Sequence, residues 1–169
     1  MVQDGGGGDY GEFAAARAGH LYRSACLLTA GDTHLAEDLV QETLGRVYAR
    51  WGRVSRVGNP AGYAQTVLTR AFLAHRRRRS STERSTAALP DLPGTDADPS
   101  LRLTLLDALA RLPAKDRAVI VLRYWEDRSV QETAKAMNVS SAAVRTRSVR
   151  ALARLRELLG EELGEYARS

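Results

Sequence analysis

The sequence predicts an all-α protein: two small helical domains, residues 9–79 and 101–163, joined by a flexible linker at 80–100, the C-terminal domain a helix-turn-helix. Three observations carry this. No segment alternates apolar and polar residues as a half-buried strand does, and both halves repeat apolar residues at helical spacing. The stretch Ser80 to Ser100, SSTERSTAALPDLPGTDADPS, lacks that spacing, is rich in Ser, Thr, Pro and Asp, and carries four acids against one arginine. That is the composition of a linker. The stretch Ser129 to Arg156, SVQETAKAMNVSSAAVRTRSVRALARLR, reads as a helix, a short turn and an arginine-studded second helix.

The chain opens on MVQDGGGGDYGE, which lacks the basic and apolar regions of a signal peptide and reads as a frayed glycine-rich tail. Tyr10 to Thr29 is amphipathic, with Phe13, Leu21, Cys26 and Leu28 among its apolar positions, and Gly31 breaks it. A second helix is expected from Thr33 to Trp51. Its inward face is Ala36, Leu39, Val40, Thr43, Val47 and Tyr48; its outward face carries Glu37, Asp38, Gln41, Glu42 and Arg46. Asp38 and Glu42 stack one turn apart. An exposed acidic face is the plain reading and a protein-docking face the functional one. Gly52 to Asn59 is expected as a loop. Asn59-Pro60 then supplies a cap followed by proline at the first helical position, and the third helix, Pro60 to Arg79, ends in HRRRR. Cations suit a helix C-terminus. One or two would suffice for that, so the run also fits a nucleic-acid backbone.

In the last domain, Ser129 and Glu132 have the spacing of a capping box, and Ala134 is small where two helices cross. Asn138 occupies the turn, where its side chain tolerates the left-handed conformation. Val139 is the plug, and Ser140 or Ser141 caps the next helix. That second helix places Val144, Ser148, Ala151, Leu152, Leu155 and Leu159 on one inward arc. The opposite arc carries Ala142, Thr146 and Arg150, flanked by Arg145 and Val149 on one side and Arg147 and Arg154 on the other. From Ser140 to Arg156 there are five arginines and no acid. The second helix of such a motif enters the DNA major groove. Ser141, Ala142, Arg145 and Thr146 lie at its N-terminal end. There Arg grips guanine bidentately, and Ala or the Thr methyl touches a thymine methyl. Arg147 and Arg150 are placed for phosphates, which position without specifying. The plain alternative is a solvated basic face on a bundle helix.

Composition narrows the function classes. A net charge of +5 suits a polyanionic partner. The single cysteine, Cys26, excludes an internal disulfide and reads as a small buried hydrophobe. No apolar run approaches the roughly 20 residues of a membrane span, so no membrane insertion and a cytoplasmic location are expected. No nucleophile motif, glycine-rich phosphate loop or H-x-x-x-H pair is present. Neither an enzyme nor a metal or cofactor is expected.

Three blocks together resemble a known family. AEDLVQETLGRVYARW (Ala36 to Trp51), LPAKDRAVIVLRYWEDRS (Leu112 to Ser129) and Ser129 to Arg156, with the NPAGY…RRRR helix between, are similar to the extracytoplasmic-function (ECF) sigma factors of bacterial RNA polymerase. The composition resembles that of actinobacterial members. The resemblance implies a sigma-70-family transcription-initiation factor that binds core RNA polymerase, brings it to promoters and helps open the duplex. Asp38, Gln41, Glu42 and Arg46 would dock on the beta-prime clamp; the beta subunit is a further contact. Tyr63, Arg70, Arg76, Arg77, Arg78 and Arg79 would engage the minus-10 element. Ser141, Ala142, Arg145, Thr146, Arg147 and Arg150 would serve the minus-35 element. Regulation is expected from a separate anti-sigma factor. Arg70 stands where the family often has Asn, Asn138 replaces a common Gly, Thr133 an aliphatic and Ser148 a Leu. A stand-alone helix-turn-helix regulator is the alternative; it leaves the first domain without a task.

Overall fold

The computed structural model describes residues 6–56, 58–80 and 99–168. Among these residues it has eight α-helices and no strand: α1 Gly6–Leu28, α2 Thr33–Ala49, α3 Trp51–Val54, α4 Pro60–Ser80, α5 Pro99–Ala110, α6 Ala114–Ile120, α7 Val130–Met137 and α8 Ser141–Arg168. Between α6 and α7 the chain widens into a π-helical turn, Val121–Trp125. The all-helical class is as expected. Most of the expected linker, residues 81–98, lies outside the described residues, and its edges differ from expectation. Ser80 still belongs to α4, and Pro99 opens α5.

Helix α1 starts inside the glycine run read as a frayed tail. Each glycine disfavours helix by about 1 kcal/mol relative to Ala, and packing next door outweighs this. The Tyr10 hydroxyl donates to the Leu44 carbonyl at 2.9 Å, and the Tyr10 ring meets Tyr48 and Trp51 edge-on. Ala30 and Gly31 end the helix in left-handed conformations, and Gly31 N–H returns to the Cys26 carbonyl at 2.8 Å. Asp32 then caps α2 by accepting from Leu35 N–H at 3.1 Å.

Ala36, Leu39, Val40, Thr43 and Val47 are buried on α2, as its periodicity requires. Tyr48, expected inward, is 61% exposed, because it lies at the margin of that stripe and covers Tyr10 instead. Helix α2 also stops two residues short of Trp51. Trp51 and Val54, both buried, wind part of the expected loop into α3. Asn59 caps α4 by accepting from Gly62 N–H at 3.0 Å.

The motif of the last half forms as its residues dictate. Ser129 and Glu132 complete the capping box, and Asn138 ends α7 at φ 55. Ser140 Oγ accepts from Ala143 N–H at 3.1 Å, and Val139 packs on the core. Val144, Ser148 and Ala151 are buried on α8. Its innermost distal residue is Leu158, 1% exposed, in place of Leu159. Seven-residue steps from Val144 through Ala151 lead there, since two helical turns nearly repeat a position. Thr133 is fully buried and its hydroxyl lacks a partner. Thr133→Val keeps the shape and removes the unsatisfied group. It should stabilise by about 1 kcal/mol, raising Tm by about 2–4 °C for a chain of this size, as calorimetry can read.

The two halves do not sit apart. One core cluster runs from Leu21, Leu28, Val47, Leu68 and Phe72 of the first into Val119, Leu122, Ala134 and Val144 of the second. A smaller cluster, Leu109, Leu112, Ile120 and Ala151, seats α8 on α5 and α6. Cys26 is fully buried, and burial pushes its thiol up to about 11, leaving it unreactive at neutral pH.

Candidate nucleic-acid interface

Three surfaces collect the polar residues singled out in the sequence. The first is the outer face of α2. Asp38, Gln41 and Arg46 are exposed and Glu42 is half-buried. Arg46 Nη2 donates to Glu42 Oε1 at 2.7 Å across one helical turn. Such exposed pairs contribute about 0.2–0.5 kcal/mol, so the ridge is largely free to serve a partner.

The second surface is α4. Arg76, Arg77 and Arg78 are exposed and Arg79 is half-buried at the helix end. Burial, reinforced by Arg79, Arg78 and Arg76, holds His75 below its usual range, so it is neutral at pH 7 and the cationic cluster is made of arginines. Tyr63 is half-buried. Arg70 is exposed and also reaches across to the second half. Its Nε donates to the Ala136 carbonyl at 2.9 Å and its Nη2 to the Lys135 carbonyl at 3.0 Å, both in the last turn of α7. A helix C-terminus offers unpaired carbonyls and partial negative charge, which an arginine satisfies on both counts. Arg128 crosses the seam the other way, donating to Thr66 Oγ1 at 2.9 Å and to the Gly62 carbonyl at 2.5 Å. Between α4 and α7 lies a cavity of about 700 Å³ lined by Arg46, Tyr63, Thr66, Arg70, Arg128 and Glu132, among others. A second of similar volume is lined by Arg70, Arg76, Arg77, Lys115, Asn138 and Val139, among others. Tyr63 and Arg70 thus line a groove whose other wall is the second half of the same chain, while Arg76, Arg77 and Arg78 stay exposed.

The third surface is the start of α8. Ala142, Arg145, Thr146 and Arg150 are exposed, while Ser141 and Arg147 are half-buried. Arg147 Nη1 and Arg150 Nη2 both donate to one oxygen of Asp116, at 2.7 and 3.2 Å. Asp116 is 3% exposed on α6. A buried carboxylate requires such partners. The two arginines expected on phosphates therefore carry a structural duty within their own half. Sequence reading missed Asp116, because its partners lie 31 and 34 residues away and no local pattern links them.

The seam has its own polar cluster, also unread in the sequence. Trp125 Nε1 donates to Ser24 Oγ at 3.0 Å, Ser24 Oγ donates to Glu126 Oε1 at 2.6 Å, and His20 Nε2 meets the same oxygen at 2.7 Å. The His20 and Trp125 rings stack with centroids 5.9 Å apart. Among the described residues no group of three His, Cys, Asp or Glu side chains is placed to hold a metal ion. Nor is any described helix long and apolar enough to cross a membrane.

Comparisons with known proteins agree over most of the chain. Residues 14–82 match sigma-70 region 2, and residues 108–157 match sigma-70 region 4. RNA polymerase sigma-E factor of Streptomyces coelicolor is 37% identical over 153 residues, covering 89% of this chain and 86% of that protein. The ECF RNA polymerase sigma factor SigL of Mycobacterium tuberculosis is 34% identical over 163 residues, covering 92% and 88%. Among solved structures, the sigma factor RpoE of Bartonella quintana, in complex with the anti-sigma factor NepR, superposes with a TM-score of 0.76 at 25% identity. That match covers 90% of this chain and 97% of RpoE, and so spans both halves. With both sigma-70 regions in order on one chain and relatives similar over nearly its full length, the protein belongs to the extracytoplasmic-function sigma factors of the sigma-70 family.

Proposed function

We propose that this chain is an alternative sigma factor that binds core RNA polymerase, directs it to specific promoters and helps melt the duplex. The observation that carries the reading is the coexistence, in family order, of an exposed α2 ridge, an arginine-tipped α4 and a fully capped helix-turn-helix. Residues 9–79 form the polymerase- and minus-10-binding part, 80–100 the linker and 101–163 the minus-35-binding part. Asp38, Gln41, Glu42 and Arg46 dock on the beta-prime clamp, with further contacts to the beta subunit. Tyr63, Arg70 and Arg76 to Arg79 serve the minus-10 element, where extracting a base costs a few kcal/mol that backbone contacts offset. Ser141, Ala142, Arg145 and Thr146 read the minus-35 element, with Arg147 and Arg150 braced behind them on Asp116. The protein does no covalent chemistry, needs no cofactor and works in the cytoplasm beside the chromosome. An anti-sigma factor, of the kind that holds RpoE in its complex, regulates it.

Run-off transcription with purified core on a genomic library tests the reading. Start sites preceded by a shared pair of elements are expected. No RNA in the presence of core, or a specific promoter shift by the chain alone, would favour a stand-alone regulator. Replacing Arg76 to Arg79 with alanine is expected to lower the log–log salt slope of open-complex formation by about 3–4, since each phosphate contact contributes about 0.7–0.9. An unchanged slope would mean that the four arginines only solvate the helix end.

A further inference from the structure

The cavity beside the C-terminal turns of α4 gathers positive charge. Arg70, Arg76 and Arg77 of α4 and Lys115 of α6 line it, and among the described residues no acid does. All four cations are exposed. Arg70 holds the Ala136 and Lys135 carbonyls, which offsets the negative end of α7 at the cavity wall. The other cavity of similar volume differs. Glu132 stands in its wall, and Arg128 there is engaged by Thr66 and the Gly62 carbonyl.

A fifth cation lies behind the first. Arg117 of α6 is 4% exposed, its guanidinium carbon sits 5.7 Å from the centre of the Phe72 ring, and its Nε has no partner. Burial, then repulsion from Arg76, pulls its guanidinium down to about 10. Arg76 therefore lines the cavity and also faces a buried like charge. An anion in the cavity offsets both the crowding of its walls and the repulsion behind them. The rest of the lining is apolar, with Leu73, Ala114, Ala136, Met137 and Val139 as its floor. A bare inorganic anion leaves that floor uncovered. A ligand with a flat ring covers it, and both a methionine sulfur and an arginine plane suit an aromatic ring. The volume, about 700 Å³, is that of a small-molecule cleft. Arginine forks grip phosphate bidentately, and lysine adds a point charge.

We propose that this cavity binds a nucleotide carrying several phosphates, with its phosphate chain between Arg76, Arg77 and Lys115 and its base against the apolar floor. The ligand so placed touches α4 on one side and α6 and α7 on the other. It adds a small-molecule site to a chain otherwise read as binding only protein and DNA.

Isothermal titration of the full chain with guanosine triphosphate, in magnesium-free buffer at physiological salt, reads the site. One nucleotide per chain is expected to bind, about tenfold more tightly than inorganic triphosphate, because only the nucleotide buries the apolar floor. Lys115→Glu places an acid among the cavity cations, at an exposed position in the first turn of α6 where a helix tolerates acids. It should weaken guanosine triphosphate by about tenfold or more, as loss of a charge-assisted contact does. Lys115→Gln should weaken it in the same direction but less. Arg78→Glu makes the same charge change on α4 outside the cavity lining. Screening should hold its effect to less than about threefold. Circular dichroism checks that each variant keeps its helices. Equal losses from Lys115→Glu and Arg78→Glu would overturn the site in favour of diffuse attraction to the arginine run. Equal affinity for inorganic triphosphate would overturn the nucleotide as its ligand. No saturable binding to the wild-type chain would overturn the site altogether. Neither core polymerase nor promoter is present in the titration, so such a failure leaves the sigma-factor reading standing.

Discussion

Asp38→Arg combined with Glu42→Arg is expected to abolish co-purification with core RNA polymerase while leaving the helical content unchanged. Both residues stand on the outer face of α2, one turn apart, and neither belongs to the buried stripe of Ala36, Leu39, Val40, Thr43 and Val47. The fold loses only the exposed Glu42–Arg46 pair. Replacing it by like charges at the same spacing costs a few tenths of a kcal/mol, about 0.2–0.5. An interface feels the change far more. An acidic ridge seated on a cationic partner turns repulsive when reversed, and like-charge juxtaposition across an interface costs several kcal/mol. Two reversals should weaken the complex by about a thousandfold or more, ~4 kcal/mol. Circular dichroism checks the fold and gel filtration with core checks the complex. Normal co-elution would remove the docking role from α2.

Arg145→Ala is expected to cost about 1–3 kcal/mol at one base pair of the minus-35 element and little on unrelated DNA. Arg145 is exposed near the start of α8, beside Ala142 and Thr146, where a recognition helix meets base edges. The substitution does not endanger the helix, because Ala is the strongest helix former. Its neighbours provide the contrast. Arg147 and Arg150 are engaged by Asp116, so their removal strands a buried carboxylate and confounds binding with stability. Competition binding against all single-base variants of the element separates the possibilities. A loss spread evenly over every sequence would assign Arg145 to phosphate.

Local signals in this chain were strong where one turn of backbone decides the outcome. Ser129 and Glu132 form the capping box their spacing requires. Asn138 adopts the left-handed turn, and Asn59 and Asp32 cap as short polar side chains do at helix starts. The buried stripe of α2 follows from periodicity alone. Misreadings came where packing overrules propensity. Glycines 6 to 8 are helical because α1 is anchored through Tyr10. Trp51 and Val54 coil a nominal loop because both need burial. Tyr48, on the border of an apolar stripe, turned outward.

The sequence by itself determined the helical class, the ends of most helices, the helix-turn-helix and the exposed acidic and basic faces, because each depends on residues within a few positions of one another. Only the tertiary structure decided what those charges do to each other. Arg70, Arg128, Asp116 and Glu126 find partners between 31 and 106 residues away, or among carbonyls that any sequence supplies. No local period encodes such pairings. They arise when two apolar faces close on a shared core and the polar groups at its rim must each find a donor or an acceptor.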